Sequence, residues 1–240
     1  MKGVAHVRGA VDAAAARSWL AAIDEHPAWR REGACRADFN PYSSSLRAAA
    51  VEALDLEAIA LSLLEGDTGG IARERLGADL SLDVDQCWIR RQYAPSRAPA
   101  GHAPHSWHQD GALGFDFLSP APDRETLLSM LTCWIALTPC GADAPGIEFA
   151  GADREDLLPL VDLADAAVRS RHAEEALECP VCALGDALVF GGGVLHHTHV
   201  APTMTRDRTS LELRFFPAAP PPRLRGDRFL NLTRPRRPAA

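Results

Sequence analysis

Residues 208–216 read Arg-Thr-Ser-Leu-Glu-Leu-Arg-Phe-Phe and alternate strictly between apolar-compatible and polar side chains. Successive side chains of a β-strand point to opposite faces. Thr209, Leu211, Leu213 and Phe215 therefore share one face, and Arg208, Ser210, Glu212 and Arg214 the other. The first is a core face. The second is a polar row that a buried barrel strand would not carry without partners, because an unpaired polar group is costly to bury. Within that row, an arginine with a hydroxyl two residues later can grip a carboxylate through a charged fork plus one further hydrogen bond.

The rest of the chain arranges itself around this strand. Apolar spacing predicts a helix over 10–24, with Asp12 near its start and Val11, Ala15, Trp19 and Ile23 along one side. A second helix is expected over 43–65 with Leu54, Ala58, Leu61 and Leu64 as its core stripe, and a short third follows Thr68-Gly-Gly and ends at Gly77. From residue 80 the texture becomes strand-like, over 82–93, 126–137, 187–190, 194–200 and 208–216. A Pro/Ala/His loop occupies 94–106, and one or two polar helices are expected within 153–178. Helices first and strands afterwards favour an α+β layout over alternating βαβ units. The stretch from Pro217, rich in Pro and Arg, reads as a loosely ordered, solvated tail.

Bulk properties exclude several functions. The 240 residues fit one domain, and 47% hydrophobic with 24% charged residues describes a soluble globule with ample core. A formal charge of −7 argues against general attraction to nucleic acid or anionic membranes. No stretch approaches the roughly 18 apolar residues of a membrane span. Arg8, Asp12 and Arg17 interrupt any secretory leader, so a cytoplasmic protein with reduced cysteines is expected. Cys179-Pro-Val-Cys182 has the spacing of a redox or zinc pair, yet it lacks a second pair and precedes Gly185-Asp186 and an apolar strand. Structural or incidental thiols are the expectation.

Six of the nine histidines fall in two windows: His102, His105 and His108, followed by Asp110, and then His196, His197 and His199. If 107–111 is extended, His108 and Asp110 project to the same side and can bind neighbouring positions of one metal. His172-Ala-Glu174 has the same spacing but sits in a helical stretch, where i and i+2 diverge. Two imidazoles and one carboxylate, as a close pair plus a distant third, are the ligand set of a non-haem iron site. Gly191-Gly-Gly193 lets the backbone turn into the strand carrying the distal histidines.

Trp107-His-Gln-Asp110, Gly185-Asp186, the glycine turn, His196 and Arg208-Thr-Ser210 together resemble the phytanoyl-CoA dioxygenase-type iron/2-oxoglutarate oxygenases. The resemblance spans about residues 80–216 and includes Arg91-Gln-Tyr93 and the run from Thr132 to Leu137. It implies a double-stranded β-helix (a jelly-roll, cupin-like core) with N-terminal helices packed outside. A single domain would then cover 1–216, with the helices over 1–79, the jelly roll over 80–216 and the tail over 217–240. The resemblance further implies Fe(II), 2-oxoglutarate and O₂ as cofactors, His108, Asp110 and His196 as metal ligands, Arg208 and Ser210 as holders of the cosubstrate, and Gln92 as a further contact. A small organic molecule would be hydroxylated, with release of succinate and CO₂. Related halogenases replace the carboxylate with a small residue, so Asp110 argues for oxygen insertion or desaturation.

Among the distal histidines, His196 has a hydroxyl two residues on at Thr198, whereas His197 stands eleven residues before Arg208, the commoner family spacing. His196 is favoured, with His197 and His199 as alternatives. Trp107 and Trp134 read as packing, His102 and His105 as residues at the mouth of the pocket, and only one of Arg90 and Arg91 can face inward. Rival readings are a cupin-like lyase or isomerase with no use for Arg208 and Ser210, and a non-catalytic ligand-sensing jelly roll.

Overall fold

The alternating strand lies at the centre of the protein in the computed structural model, which describes residues 3–29, 39–40, 44–112, 127–173, 176–218, 224 and 228–233. Along the chain run β1 (Val4–Val7), α1 (Ala13–Glu25), β2 (Phe39–Asn40), β3 (Ser45–Arg47), α2 (Leu56–Glu65) and α3 (Asp67–Leu76). Next come β4 (Leu80–Asp83), β5 (Trp88–Gln92), β6 (His108–Gln109), β7 (Leu131–Ala136), β8 (Gly146–Ala150) and α4 (Asp165–Arg171). The last strands are β9 (Leu177–Glu178), β10 (Ala187–Gly191), β11 (Leu195–His199), β12 (Arg208–Pro217) and β13 (Phe229–Asn231).

Among the described residues the strands form two antiparallel sheets. The larger has nine strands, ordered β1-β10-β7-β12-β5-β3-β2, with β4 and β13 continuing beside the C-terminal end of β12. The smaller is β6-β11-β8-β9. Parity along β12 sorts the core. Leu211, Leu213 and Phe215 face a cluster that includes Ile23 of α1 and Ile59 and Leu63 of α2, so the helices cover the outer face of the large sheet. The opposite face carries Trp134, Leu188 and Phe190, which pack with Ile147 and Phe149 of the small sheet and fill the space between the layers. This is the double-stranded β-helix with external helices that the sequence implies.

Local chemistry explains the helix ends. Asp12 caps α1 by accepting hydrogen bonds from the Ala14 and Ala15 amides (2.8 and 3.2 Å), and Asp55 caps α2 through the Ala58 amide (3.0 Å). Gly69 lies inside α3 because a Cβ there would stand 2.0 Å from the Leu64 carbonyl oxygen, so no larger residue lets α2 and α3 approach this closely. Gly77 ends α3 at φ +95°.

Several expectations need correction. The helix expected over 43–65 begins only at Leu56; Ser45–Arg47 pairs with β5 instead, and Ser44 takes φ 44° to enter that pairing. Its buried stripe is Leu56, Ile59, Ala60, Leu63 and Leu64, while Ala58 is exposed. The strand expected over 82–93 is broken by a 3₁₀ turn at Val84–Gln86, where the Asp83 carboxylate accepts from two backbone amides. Residues 153–178 hold a 3₁₀ turn (Leu160–Leu163), α4 and β9. The stretch past Pro217 is not simply a solvated tail, since Phe229–Asn231 pairs with β4 and Leu232 is buried. The glycine turn at 191–193 does form, closed by the Val194 amide on the Gly191 carbonyl oxygen (3.1 Å), and it also serves close approach: a Cβ on Gly193 would lie 1.9 Å from the Arg154 carbonyl oxygen.

Candidate metal centre

The two sheets meet in a polar corner. β6 pairs with β11 so that His108 lies directly opposite His196, with ring centroids 4.2 Å apart. His108 Nδ1 faces the Ser106 carbonyl oxygen at 2.7 Å, and His196 Nδ1 faces the Val194 carbonyl oxygen at 2.9 Å. A carbonyl can only accept, so each Nδ1 carries the proton and each Nε2 offers a lone pair. Both Nε2 atoms point at Asp110, 3.7 Å from Oδ1 for His108 and 3.8 Å from Oδ2 for His196. One ligand atom from each of the three residues lies within 4.8 Å of the others. Two oriented imidazoles and an ionised carboxylate converging on one point fit a divalent iron ion in donor type and tautomer.

The large sheet holds Asp110 from the other side. Thr132 on β7 donates its hydroxyl to Oδ2 at 2.6 Å, and Arg214 on β12 donates Nη2 to Oδ1 at 2.9 Å. Burial alone would raise the Asp110 carboxyl; the Arg214 guanidinium, both imidazoles and the Thr132 hydroxyl outweigh it and hold the group well below the usual carboxylate range. Burial and the neighbouring His196 push His108 down to about 3, so its imidazole stays neutral. Arg214 had only its place on the polar row to announce it, and Thr132 only its place in the run from Thr132 to Leu137; register brings both to Asp110.

The rest of the polar row is accounted for in turn. Glu212 receives Arg90 Nε at 2.5 Å, and Arg90 also donates to Ser45 Oγ (3.0 Å) and to His105 Nε2 (2.7 Å). Arg90 is thus the inward member of its pair, while Arg91 turns out to Asp24 and the Trp29 ring. Burial, then Arg90, drives His105 down to about 2. Gln92 stands directly across from Arg208 in the β5–β12 register and contacts His102 at 2.7 Å, which in turn reaches Ser44. His102 and His105 therefore brace Gln92 and Arg90.

Arg208 is the anomaly. It is 2% exposed, donates Nη1 to Ser210 Oγ at 3.0 Å and lies 5.1 Å over the Trp134 ring. Its Nε has no partner, and it makes no salt bridge among the described residues. Burial pulls its pKa down, by more than the nearby Cys140 and Glu212 push it up. Trp134, expected as packing, is therefore also the floor under this cation.

β11 settles which distal histidine joins the corner. His196 and Thr198 turn inward; His197 and His199 turn outward toward Glu148, with His197 Nε2 2.8 Å from Oε2. A cavity of about 360 Å³ opens beside His108 and Asp110, lined by Trp88, Trp107, Leu160 and Leu163 among others. Cys179 and Cys182 lie away from the corner as free thiols, with Cys182 bridged to Cys140 through backbone hydrogen bonds. Residues 113–126 lie outside the described residues. Among the described residues, no helix is long and apolar enough to cross a membrane.

Comparison with known proteins agrees with this architecture. The non-heme alpha ketoglutarate dependent epimerase SnoN from nogalamycin biosynthesis superimposes with a TM-score of 0.59 at 16% identity, over 90% of this chain and 77% of that one. EctD from S. alaskensis gives 0.60 at 15% identity over 90% and 73%. HygX from Streptomyces hygroscopicus, solved with nickel and 2-oxoglutarate, gives 0.54 at 14% identity over 90% and 82%. At these identities the likeness is one of fold. No curated protein matches the sequence. The family model for Phytanoyl-CoA dioxygenase (PhyH) matches residues 1–205, a span that contains His108, Asp110 and His196 and stops short of Arg208. The chain belongs to the phytanoyl-CoA dioxygenase family and is an oxygenase-type enzyme of the iron- and 2-oxoglutarate-dependent kind.

Proposed function

We propose that the protein hydroxylates a small organic molecule, with His108, Asp110 and His196 holding Fe(II) and Arg208 with Ser210 holding the distal carboxylate of 2-oxoglutarate. One observation carries the reading: a fully buried arginine with an unpartnered Nε, on the face of β12 whose Arg214 clasps the Asp110 of a His-Asp-His corner, where both Nε2 atoms are freed by backbone carbonyls. A buried cation without an anion costs several kcal/mol in a folded protein. A dicarboxylate that reaches from the metal corner to Arg208 would supply the missing charge.

When bound at this corner, iron and 2-oxoglutarate would supply the activation of O₂, with one oxygen atom ending in succinate as CO₂ leaves and the other in the hydroxylated product. The chain's own residues set the geometry. Thr132 and Arg214 hold the Asp110 carboxylate in one orientation, which would keep it aimed at a bound ion. Gln92, braced by His102 and opposite Arg208 in the strand pair, would donate its amide to the cosubstrate. Trp88, Trp107, Leu160 and Leu163 give the substrate cavity apolar walls that keep water from the reacting carbon. Its volume suits a ligand of small-metabolite size. Free thiols at five described cysteines accord with a cytoplasmic setting.

The test is aerobic turnover with Fe(II) and 2-oxoglutarate across a panel of small metabolites, following succinate and a product 16 mass units heavier. Stoichiometric succinate and hydroxylated product, lost in Asp110→Ala, is the expected result. Conversion of any substrate without 2-oxoglutarate would favour the cupin-like lyase or isomerase.

A further inference from the structure

The alternation that turns His196 into the corner turns two other histidines out. On β11, His197 and His199 are two residues apart and share the outer face of the small sheet, the same spacing that places His108 and Asp110 side by side within the corner. Directly across from His197, on β8, is Glu148. His197 Nε2 stands 2.8 Å from Glu148 Oε2, and His199 Nδ1 stands 3.9 Å from Oε1. One donor atom from each of the three lies within 4.8 Å of the other two, as in the iron corner. We propose that Glu148, His197 and His199 form a second divalent-metal site, selective for zinc-like ions, on the outer face of the small sheet.

Two imidazole nitrogens and one carboxylate oxygen suit Zn²⁺ and its transition-metal neighbours rather than Mg²⁺ or Ca²⁺, which demand oxygen. The surroundings support a built site. Trp107 stacks on the His197 ring at 4.0 Å between centroids, and Trp107 Nε1 is itself tied to Asp165 at 2.9 Å, so the ring is held in place. Trp107, Leu163, Val168 and Leu195 make an apolar shell on one side. His199, with 30% of its side chain exposed, borders an open groove of about 640 Å³ through which an ion can enter.

Arg169 competes for Glu148, donating Nη2 to Oε2 at 2.9 Å, but Asp165 already takes its Nε at 3.0 and 3.1 Å. Coordination through Oε1, the oxygen on the His199 side, leaves Oε2 to Arg169. His197 now donates its Nε2 proton to Oε2; with metal bound, that proton resides on Nδ1 and the Nε2 lone pair turns to the ion, with no net change in charge on the ring. The ion would tie β8 to β11 next to His196 without touching the iron corner.

The experiment is equilibrium dialysis of the chelator-stripped, full-length protein against Zn²⁺, with bound metal counted by elemental analysis and folding checked by circular dichroism. Both corners accept zinc, so wild type should bind two equivalents. His199→Ala and Glu148→Gln should each bind one fewer; His199 is partly exposed, so its loss leaves the fold intact. Asp110→Ala should also bind one fewer, and Zn²⁺ should still raise its melting temperature through the outer site. The double variant His199→Ala/Asp110→Ala should lose both. Wild type saturating at one equivalent, or His199→Ala binding as many ions as wild type, overturns the proposal. Asp110→Ala retaining both ions would sink the iron-corner reading instead and leave this one standing.

Discussion

Arg208→Met separates two consequences of one buried charge, because stability should change little while cosubstrate binding collapses. In the metal-free protein the guanidinium is 2% exposed and holds one hydrogen bond, to Ser210 Oγ. Replacing a buried ionic group by an apolar side chain of similar size is neutral or stabilising by roughly 1–4 kcal/mol. Against this stand about 1 kcal/mol for the lost hydrogen bond and about 1 kcal/mol for the cation–π contact with Trp134. The balance lies between about −2 and +2 kcal/mol, or a melting temperature within ~6 °C of wild type for a chain of this size. Affinity for 2-oxoglutarate should fall by at least ~3 kcal/mol, more than a hundredfold, because two hydrogen bonds to a charged donor are each worth ~1.5–3 kcal/mol. Differential scanning fluorimetry with and without Mn²⁺ and 2-oxoglutarate reads both quantities. Wild type should gain stability from the cosubstrate, and Arg208→Met should not. A variant that melts well below wild type and still responds to 2-oxoglutarate would mean that the charge is already compensated and the carboxylate grip lies elsewhere.

Thr132→Val removes the 2.6 Å hydrogen bond to Asp110 Oδ2 at nearly constant volume. Fe(II) affinity, measured by chelator competition, should fall about tenfold to a hundredfold with the fold unchanged, and an unaltered affinity would show that Arg214 alone suffices. Of the three distal histidines, only His196→Ala should abolish 2-oxoglutarate turnover, while His197→Ala and His199→Ala remain active; an active His196→Ala enzyme contradicts the assignment. The metal-free protein should lose stability in acid. His105 and His108 titrate at about 2 and 3 when folded, below the ordinary value near 6.5, so the unfolded chain takes up protons first. The stability present above pH 6.5 is lost progressively as pH falls toward those lower values, at no more than ~1.4 kcal/mol per pH unit for each histidine. Urea unfolding at pH 7.5, 6.0 and 5.0 checks this, His105→Gln should flatten the slope, and equal stabilities at all three pH values would refute it.

The sequence is most legible where side-chain period and chemistry agree. The parity of 208–216 assigns both faces of β12 correctly, and each member of its polar row has a side-chain partner: Ser210 for Arg208, Arg90 for Glu212 and Asp110 for Arg214. The His-x-Asp pair is readable because an extended backbone is the one geometry that brings those side chains together. Parity also decides the distal histidine, but only once the face of β11 is known, and that depends on pairing with β6 and β8. Elsewhere tertiary pairing overrides local preference. The Ala/Leu-rich stretch from 43 looks helical, yet Ser45–Arg47 is recruited by β5. β8 is short and follows a Gly/Ala/Asp/Pro run that reads as a turn, so nothing local marks its Glu148, although it faces His197. β13 is hidden by the Pro/Arg composition around it. The clasp of Thr132 and Arg214 on Asp110 joins residues 22 and 104 positions apart, and no local pattern encodes that register.

The most direct test of the account is an anaerobic titration of Fe(II)-loaded protein with 2-oxoglutarate, watching for the weak visible metal-to-ligand charge-transfer band of the chelated cosubstrate. Wild type should develop the band and saturate at one equivalent. Asp110→Ala and His196→Ala should fail to develop it, and Arg208→Met should require a far higher 2-oxoglutarate concentration. Iron bound stoichiometrically by wild type with no band at any cosubstrate concentration would contradict the central claim.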